Sequence, residues 1–175
     1  MSQRIEDFEA NAKASAAIVE RVANEPASVR AAVERVAGTS PRIVLGPDEY
    51  LPRAIWQALR ELPGVIAEPS DEQLSTADAG ISGAFAGVAS SGSVCIAMGP
   101  PLAGAASLLT PLHIVVVSPE RIVPRPRDLF DPGCFGGDGL KRDLVFITGP
   151  SATADMGPLV RGVHGPHRLH ILLLG

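Results

Sequence analysis

Short apolar segments that alternate with a helical segment constrain this chain more than any other feature. Residues 42–45 form a short run that favours a β-strand and ends at Gly46. Residues 48–62 carry apolar side chains at spacings of three and four, which is typical of an amphipathic helix, and residues 64–67 form a second short apolar run. A strand, a helix and a strand in this order predict a βαβ unit, which joins parallel strands.

Further apolar runs follow, and several are apolar on both faces, as strands covered by helices on both sides are. The predicted strands span residues 79–82, 92–98, 112–117, 143–148 and 168–174. We therefore predict an open three-layer α/β fold with a mostly parallel sheet and some antiparallel pairing around residues 79–98. Residues 118–142 are rich in proline and glycine, which predicts a long loop that opens with a short strand.

The first 39 residues lie outside this strand pattern. Abundant alanine and apolar residues at helical spacing predict a helix over residues 2–23, and a second helix is predicted over residues 28–37. We expect a helical arm over residues 1–39 and an α/β unit over residues 40–175, which together form one structural domain.

The composition argues against several classes of function. The net charge is −4, and a nucleic-acid partner would require a basic surface instead. Cys95 and Cys134 form no Cys-x-x-Cys pair, so we predict no iron–sulfur cluster, no metal site and no other cofactor in this chain. No apolar stretch reaches about 18 residues, so we expect no membrane span. The N-terminus shows no apolar signal core, which predicts a cytoplasmic protein.

A glycine-proline turn at Gly149-Pro150 begins the first candidate site. It follows the predicted strand over residues 143–148, and Ser151, Thr153 and Asp155 come next. If this segment begins a helix at the end of a parallel strand, its free backbone N–H groups suit a small anion. The same residues equally suit a helix cap after a sharp turn, with no ligand.

A second glycine-rich turn contains Gly162, His164 and Gly165. Glycine permits backbone conformations that other residues avoid, and a histidine in such a turn can transfer a proton or donate a hydrogen bond. His164, His167 and His170 share no helical face, because the glycine-proline pair after His164 interrupts any helix. We therefore expect His164 to have a structural or ligand-binding role and predict no metal site.

A third turn, formed by Ser91, Gly92 and Ser93, leads into a predicted strand. It suits either a hairpin turn or a cradle of hydroxyl groups for a phosphate or carboxylate. We predict that the three turns converge on one pocket for a small anionic metabolite. The chain contains no nucleotide-binding glycine motif and no serine-hydrolase motif.

These turns resemble those of the LUD-domain family, in particular its lactate-utilisation protein C type. The segments that carry the resemblance are Asp78–Ser82, Ser91–Ser93, Leu112–Val117, Ile147–Asp155 and Gly162–Pro166. The resemblance covers roughly residues 40–175 and implies a fold similar to the sugar-isomerase and CoA-transferase superfamily. It also implies a ligand-binding or accessory subunit in the oxidation of L-lactate to pyruvate, with iron–sulfur oxidoreductase subunits as partners.

The chain departs from the family pattern at Ser90. The family usually carries Glu-Thr-Gly-Thr where this chain has Ser90-Ser91-Gly92-Ser93, so a carboxylate that would serve as nucleophile or base is missing. Two other hypotheses stand beside the accessory role. One is a stand-alone isomerase or transferase that acts on a phosphorylated or CoA-linked metabolite, and the other is a structural protein whose site has decayed.

Overall fold

A parallel sheet forms the centre of the computed structural model, which describes residues 2–39, 41–98, 101–141, 143–154 and 157–175. Its strands are β1 (Ile18–Val22), β2 (Ile43–Leu45), β3 (Val65–Ile66), β4 (Ala79–Gly83), β7 (Leu112–Val117) and β12 (Arg168–Leu174). Their order across the sheet is β1-β12-β7-β4-β2-β3, and every neighbouring pair is parallel. The predicted α/β fold with a mostly parallel sheet is confirmed.

A second, four-stranded sheet packs beside the first. It consists of β5 (Ala86–Val88), β6 (Ser93–Ala97), β8 (Ile122–Val123) and β9 (Leu144–Ile147), in the order β8-β5-β6-β9. The β5–β6 and β6–β9 pairs are antiparallel, which agrees with the antiparallel pairing predicted near residues 79–98. A small antiparallel hairpin joins β10 (Ala152–Thr153) to β11 (Val160–Arg161).

Helices cover both faces of the parallel sheet. They are α1 (Ser2–Ala14), α2 (Pro26–Ala37), α3 (Arg53–Arg60), α4 (Asp71–Ser75) and α5 (Pro101–Leu108). Because side chains alternate along a strand, Ile114 of β7 joins the core under α2 and α3, whereas Val115 joins the core with α1, α5 and the second sheet. The three layers are therefore α2 and α3 on one face, the parallel sheet in the middle, and α1, α5 and the second sheet on the other face. In the part of the chain that the structure describes, no helix has both the length and the apolarity needed to cross a membrane.

The helix predicted over residues 2–23 is wrong in its second half. The first helix ends at Ala14, Ala16 adopts a positive φ of 65°, and residues 18–22 form the edge strand β1. This strand is rich in β-branched residues, and it pairs in parallel with β12 from Ile18 to Val22. Sheet pairing therefore overrides the helix propensity of the preceding alanines.

The segment predicted as a long loop contains short 3-10 helices at 119–121 and 126–130. Helical turns over 134–141 are interrupted by a kink, where Phe135, Gly136 and Gly137 have positive φ. Arg121 anchors this segment, since its Nε atom donates a hydrogen bond to the carbonyl oxygen of Phe85. The guanidinium of Arg121 also lies over the rings of Phe135, Phe85 and Tyr50, at 4.2, 5.0 and 5.3 Å from the ring centroids. These contacts hold the segment against the second sheet.

Candidate functional site

The first and second predicted turns meet at one cavity of about 380 Å³, which we call the two-turn pocket. The first turn contributes Thr148–Ala152, and the second contributes His164, Gly165 and Pro166. The remaining lining comes from Ser107 and Leu108 of α5, Val145–Ile147 of β9 and Leu169 of β12. The structure therefore brings together two of the three turns.

Backbone hydrogen bonds fix the two turns against each other. The N–H of Ser151 donates to the carbonyl of Pro166, and the N–H of Gly162 donates to the carbonyl of Ser151, both at 2.9 Å. Thr153 lies in β10, whose partner β11 follows directly in the hairpin. Asp155, which was predicted to bind ligand, lies outside the described residues.

Two local expectations about the first turn are wrong. The described residues after Gly149-Pro150 enter strand β10 instead of starting a helix. The strand that precedes the turn, β9, pairs with β6 in antiparallel fashion and lies in the second sheet, not in the parallel one. A glycine-proline turn fits either continuation, so the local sequence does not distinguish them. A helix N-terminus is therefore not the source of N–H donors here.

The third turn does not line the two-turn pocket, but it is hydrogen-bonded to a residue that does. The Oγ atom of Ser93 lies 2.6 Å from Oγ1 of Thr148, which lines the pocket, and 2.7 Å from Oγ of Ser91. Ser93, the central residue of this row of three hydroxyls, is 3% exposed, whereas Ser91 at one end is half-buried and Thr148 at the other end lines the pocket. Gly92 and the serines beside it do not themselves line the two-turn pocket.

Packing against α1 explains two of the turn glycines without any ligand. Gly92 has a φ of 67°, and a Cβ atom there would lie 2.0 Å from the backbone nitrogen of Ala12. Gly149 has a φ of 74°, and a Cβ atom there would lie 1.9 Å from the carbonyl oxygen of Ser15. Both turns therefore require glycine so that the end of α1 can approach them.

Backbone amides and hydroxyls supply the polar lining of the two-turn pocket. Within the described chain, the N–H groups of Gly149, His164 and Gly165 form no backbone hydrogen bond. Ser151 and Thr148 add hydroxyl groups, and the imidazole of His164 is exposed at the mouth. None of the described lining residues is Lys or Arg, so any anion would rely on these neutral donors and on His164.

The three histidines near the second turn have separate environments. His164 and His167 are exposed, whereas His170 is 7% exposed in β12, with Nε2 at 3.2 Å from Oε2 of Glu20. Burial lowers the pKa of His170, and the neighbouring Glu20 partly opposes that shift. Among the residues that the structure describes, no three His, Cys, Asp or Glu side chains are grouped to hold a metal ion.

The two cysteines also have no shared site. Cys95 is buried in β6, and burial raises the pKa of its thiol to about 12, so it is an inert core residue at neutral pH. Cys134 is half-buried in the 134–141 segment. Burial, together with Asp131, raises the pKa of Cys134 above its usual value.

A buried polar pair, Ser82 and His113, was not predicted from the sequence. Ser82 Oγ lies 2.8 Å from Nε2 of His113, and the two side chains are 2% and 0% exposed. Nδ1 of His113 has no hydrogen-bond partner within the described structure, and burial lowers the pKa of His113 to about 3. The signal in the sequence was a single histidine inside the apolar run over residues 112–117.

Comparisons with known proteins support the family resemblance that the turn sequences indicated. The sequence profile described as LUD domain matches residues 5–174. The chain is 36% identical over 102 residues to a lactate utilization protein C of Halalkalibacterium halodurans, which covers 55% of this chain and 44% of that protein. It is 28% identical over 155 residues to a lactate utilization protein C of Deinococcus radiodurans, which covers 85% of this chain and 70% of that protein.

The chain is also 30% identical over 104 residues to an uncharacterized protein of Neisseria meningitidis, and it covers 45% of that protein and 44% of the Halalkalibacterium halodurans protein. Its fold is similar to the crystal structure of a DUF162 family protein from Deinococcus radiodurans, with a TM-score of 0.70 at 22% identity. That likeness covers 99% of this chain and 98% of the other. Because the family profile extends over nearly all of its residues, the chain belongs to the LUD domain family.

Proposed function

We propose that this chain binds a small anionic metabolite, L-lactate or pyruvate, as an accessory component of a lactate-utilisation system. The observation that carries the proposal is the convergence of the first and second turns on the two-turn pocket. Two relatives that carry the name lactate utilization protein C support the choice of metabolite.

The lining of the two-turn pocket suits a short carboxylate with an apolar end. Turn amides without a backbone acceptor are a common cradle for anions, and the N–H groups of Gly149, His164 and Gly165 form no backbone hydrogen bond within the described chain. Ile147 and Leu169 offer an apolar surface for a methyl group. A ring N–H of His164 would donate a further hydrogen bond to the carboxylate.

An accessory role fits the described lining better than independent catalysis. Oxidation of lactate to pyruvate removes two electrons and two protons, so it needs both a base and an electron acceptor. Apart from His164, the described lining residues include no side chain suited to act as a base at neutral pH. We propose that partner subunits, iron–sulfur oxidoreductases, supply the electron acceptor.

A thermal-shift screen tests the proposal, because a ligand that prefers the folded state raises the melting temperature. The probes are L-lactate, pyruvate, glucose 6-phosphate and acetyl-CoA. We expect L-lactate or pyruvate to stabilise the wild-type chain. Ser151→Ala combined with His164→Ala removes this shift and leaves the unliganded melting temperature nearly unchanged, because neither side chain is buried.

His167→Ala is the matched control, since His167 is an exposed histidine near the second turn that does not line the two-turn pocket. It keeps the ligand-induced shift. An equal shift in the double variant would contradict the proposed site. Turnover of glucose 6-phosphate or acetyl-CoA by the purified chain would instead favour an isomerase or a transferase.

A further inference from the structure

A separate cleft lies between α1 and the turn that joins β5 to β6, and we call it the α1 cleft. Its volume is about 530 Å³, and it shares no lining residue with the two-turn pocket. The polar side chains that line it are Gln3, Arg4, Asp7, Asn11 and Ser90.

Arg4 is the distinctive group of the α1 cleft. Its Nε atom is shielded from solvent and has no hydrogen-bond partner within the described structure. The nearby carboxylate of Asp7 accepts a hydrogen bond from Nε2 of Gln3 instead, at 2.9 Å. Other arginines near α1 and β1 are satisfied, as Arg21 is by two hydrogen bonds to Glu9. The buried Nε atom is closed to a ligand, but Arg4 lines the cleft, is only half-buried and forms no ion pair among the described residues. The terminal nitrogens of its guanidinium are therefore the donors for an acceptor from outside the chain.

The other polar residues of the lining indicate the charge and the hydrogen-bonding groups of a ligand that would fit the α1 cleft. Asn11 donates its Nδ2 to the carbonyl of Ala89 at 2.8 Å, which leaves the amide oxygen of Asn11 as an acceptor. The charges of Arg4 and Asp7 offset each other, so a monoanion suits the cleft better than a phosphate dianion. A guanidinium also binds a planar carboxylate through two parallel hydrogen bonds.

We infer that the α1 cleft binds a small monocarboxylate that carries a hydroxyl or ammonium group next to its carboxylate. The guanidinium of Arg4 holds the carboxylate, and the oxygens of Asp7 and Asn11 accept from the adjacent donor group. The inference does not rest on the proposed function, because the α1 cleft and the two-turn pocket are different cavities.

Isothermal titration calorimetry on the Ser151→Ala/His164→Ala double variant tests this inference, because that background removes the two-turn pocket as a competing site. The probes are L-lactate, L-alanine, pyruvate and inorganic phosphate. We expect L-lactate or L-alanine to bind, with pyruvate and phosphate weaker. Adding Arg4→Gln raises the Kd roughly tenfold or more, as expected for the loss of a charge-assisted hydrogen bond.

Arg127→Gln is the matched control, because it makes the same change of charge at a side chain that is 73% exposed and does not line the α1 cleft. It leaves the Kd within about twofold. Ser90→Glu keeps Arg4 but adds a carboxylate to the cleft, and it also weakens binding roughly tenfold.

Three results would overturn the inference. They are the absence of binding by both L-lactate and L-alanine, an unchanged Kd in Arg4→Gln, and phosphate binding as tight as carboxylate binding. Pyruvate binding as tightly as L-lactate would overturn the assignment of Asp7 and Asn11 as acceptors. A failure confined to the two-turn pocket would leave these calorimetric results unchanged, so the two proposals are tested separately.

Discussion

Ser82 and His113 form a hydrogen bond of 2.8 Å between neighbouring parallel strands, β4 and β7, and neither side chain reaches solvent. The pair lies on the face that α5 covers, where a Cβ atom on Gly80 would come within 1.9 Å of the carbonyl oxygen of Ala106. A neutral histidine is therefore enclosed in the core, and its protonation would place an uncompensated charge there.

This enclosure predicts a loss of stability in acid. The pKa of His113 is lowered from 6.5 to about 3, so the unfolded chain binds a proton at higher pH than the folded chain does. The contribution of neutral His113 to the free energy of unfolding is therefore complete above pH 6.5. It declines as the pH falls towards 3, by at most about 1.4 kcal/mol per pH unit. His170 contributes in the same direction, because its pKa is also lowered.

Urea unfolding of the wild type and of His113→Gln between pH 7 and pH 4 measures this contribution. Because glutamine does not titrate, the stability advantage of the wild type shrinks by up to about 3 kcal/mol over this range. Carboxylates titrate in both proteins, so the difference between them isolates His113. Parallel stability profiles would show that His113 is not protonated preferentially in the unfolded chain.

A double-mutant cycle tests whether Ser82 and His113 act as a unit. Ser82→Ala leaves both ring nitrogens of His113 without a partner among the described residues, and we expect it to lower the free energy of unfolding by about 1–3 kcal/mol. In the double variant Ser82→Ala/His113→Leu the unsatisfied polar atoms are gone, so it costs less than the sum of the two single variants. Additive single-variant effects would mean that the hydrogen bond contributes no coupling.

The turn glycines provide a stereochemical prediction. Gly92→Ala and Gly149→Ala each force a Cβ atom into the backbone at the end of α1, at a positive φ. We expect each to lower the free energy of unfolding by more than about 2 kcal/mol, measured by chemical denaturation. Gly136→Ala is the control, because Gly136 has a φ of 68° but nothing within 4 Å of the added carbon, so it costs about 1 kcal/mol. Equal effects at all three positions would exclude the packing explanation.

Arg121→Lys tests the anchor of the 126–141 segment. Lysine retains the charge but loses the planar Nε donor to Phe85 and the stacking on Phe135. We expect a loss of about 1–3 kcal/mol and faster proteolysis within the segment. Arg127→Lys, on a side chain that is 73% exposed, changes stability by less than about 0.5 kcal/mol. If the two variants behaved alike, the ring contacts of Arg121 would be energetically unimportant.

The parallel sheet was predictable because its strands are apolar on both faces. β7 and β12 are nearly continuous runs of Val, Leu and Ile, and the alternation around β2 and β3 indicates a βαβ unit. The α5 helix was not predicted, since its sequence PLAGAASL has no polar face that would reveal a helical period. Strand β9 was identified, but its sheet was not, because strand pairing depends on distant residues.

The positions of two turns of the candidate site were predictable from the sequence. Glycine-proline turns mark where the chain reverses, so the sequence located the 149–151 and 162–166 turns that the structure joins. The turn residues alone could not show whether β10 or a helix follows Pro150. The Ser82–His113 pair and the α1 cleft depend on contacts between distant segments, which turn chemistry does not specify.

Amide NMR of the labelled chain during titration with L-lactate tests the central claim, that a carboxylate binds in the two-turn pocket, most directly. If the carboxylate binds there, we expect saturable shifts of the amide signals of Gly149, His164 and Gly165, and the loss of these shifts in the Ser151→Ala/His164→Ala variant. Shifts at Arg4, Asn11 and Ser90 would report the α1 cleft instead and would persist in that variant. An unchanged two-turn pocket at saturating L-lactate, or shifts confined to the α1 cleft, would contradict the claim.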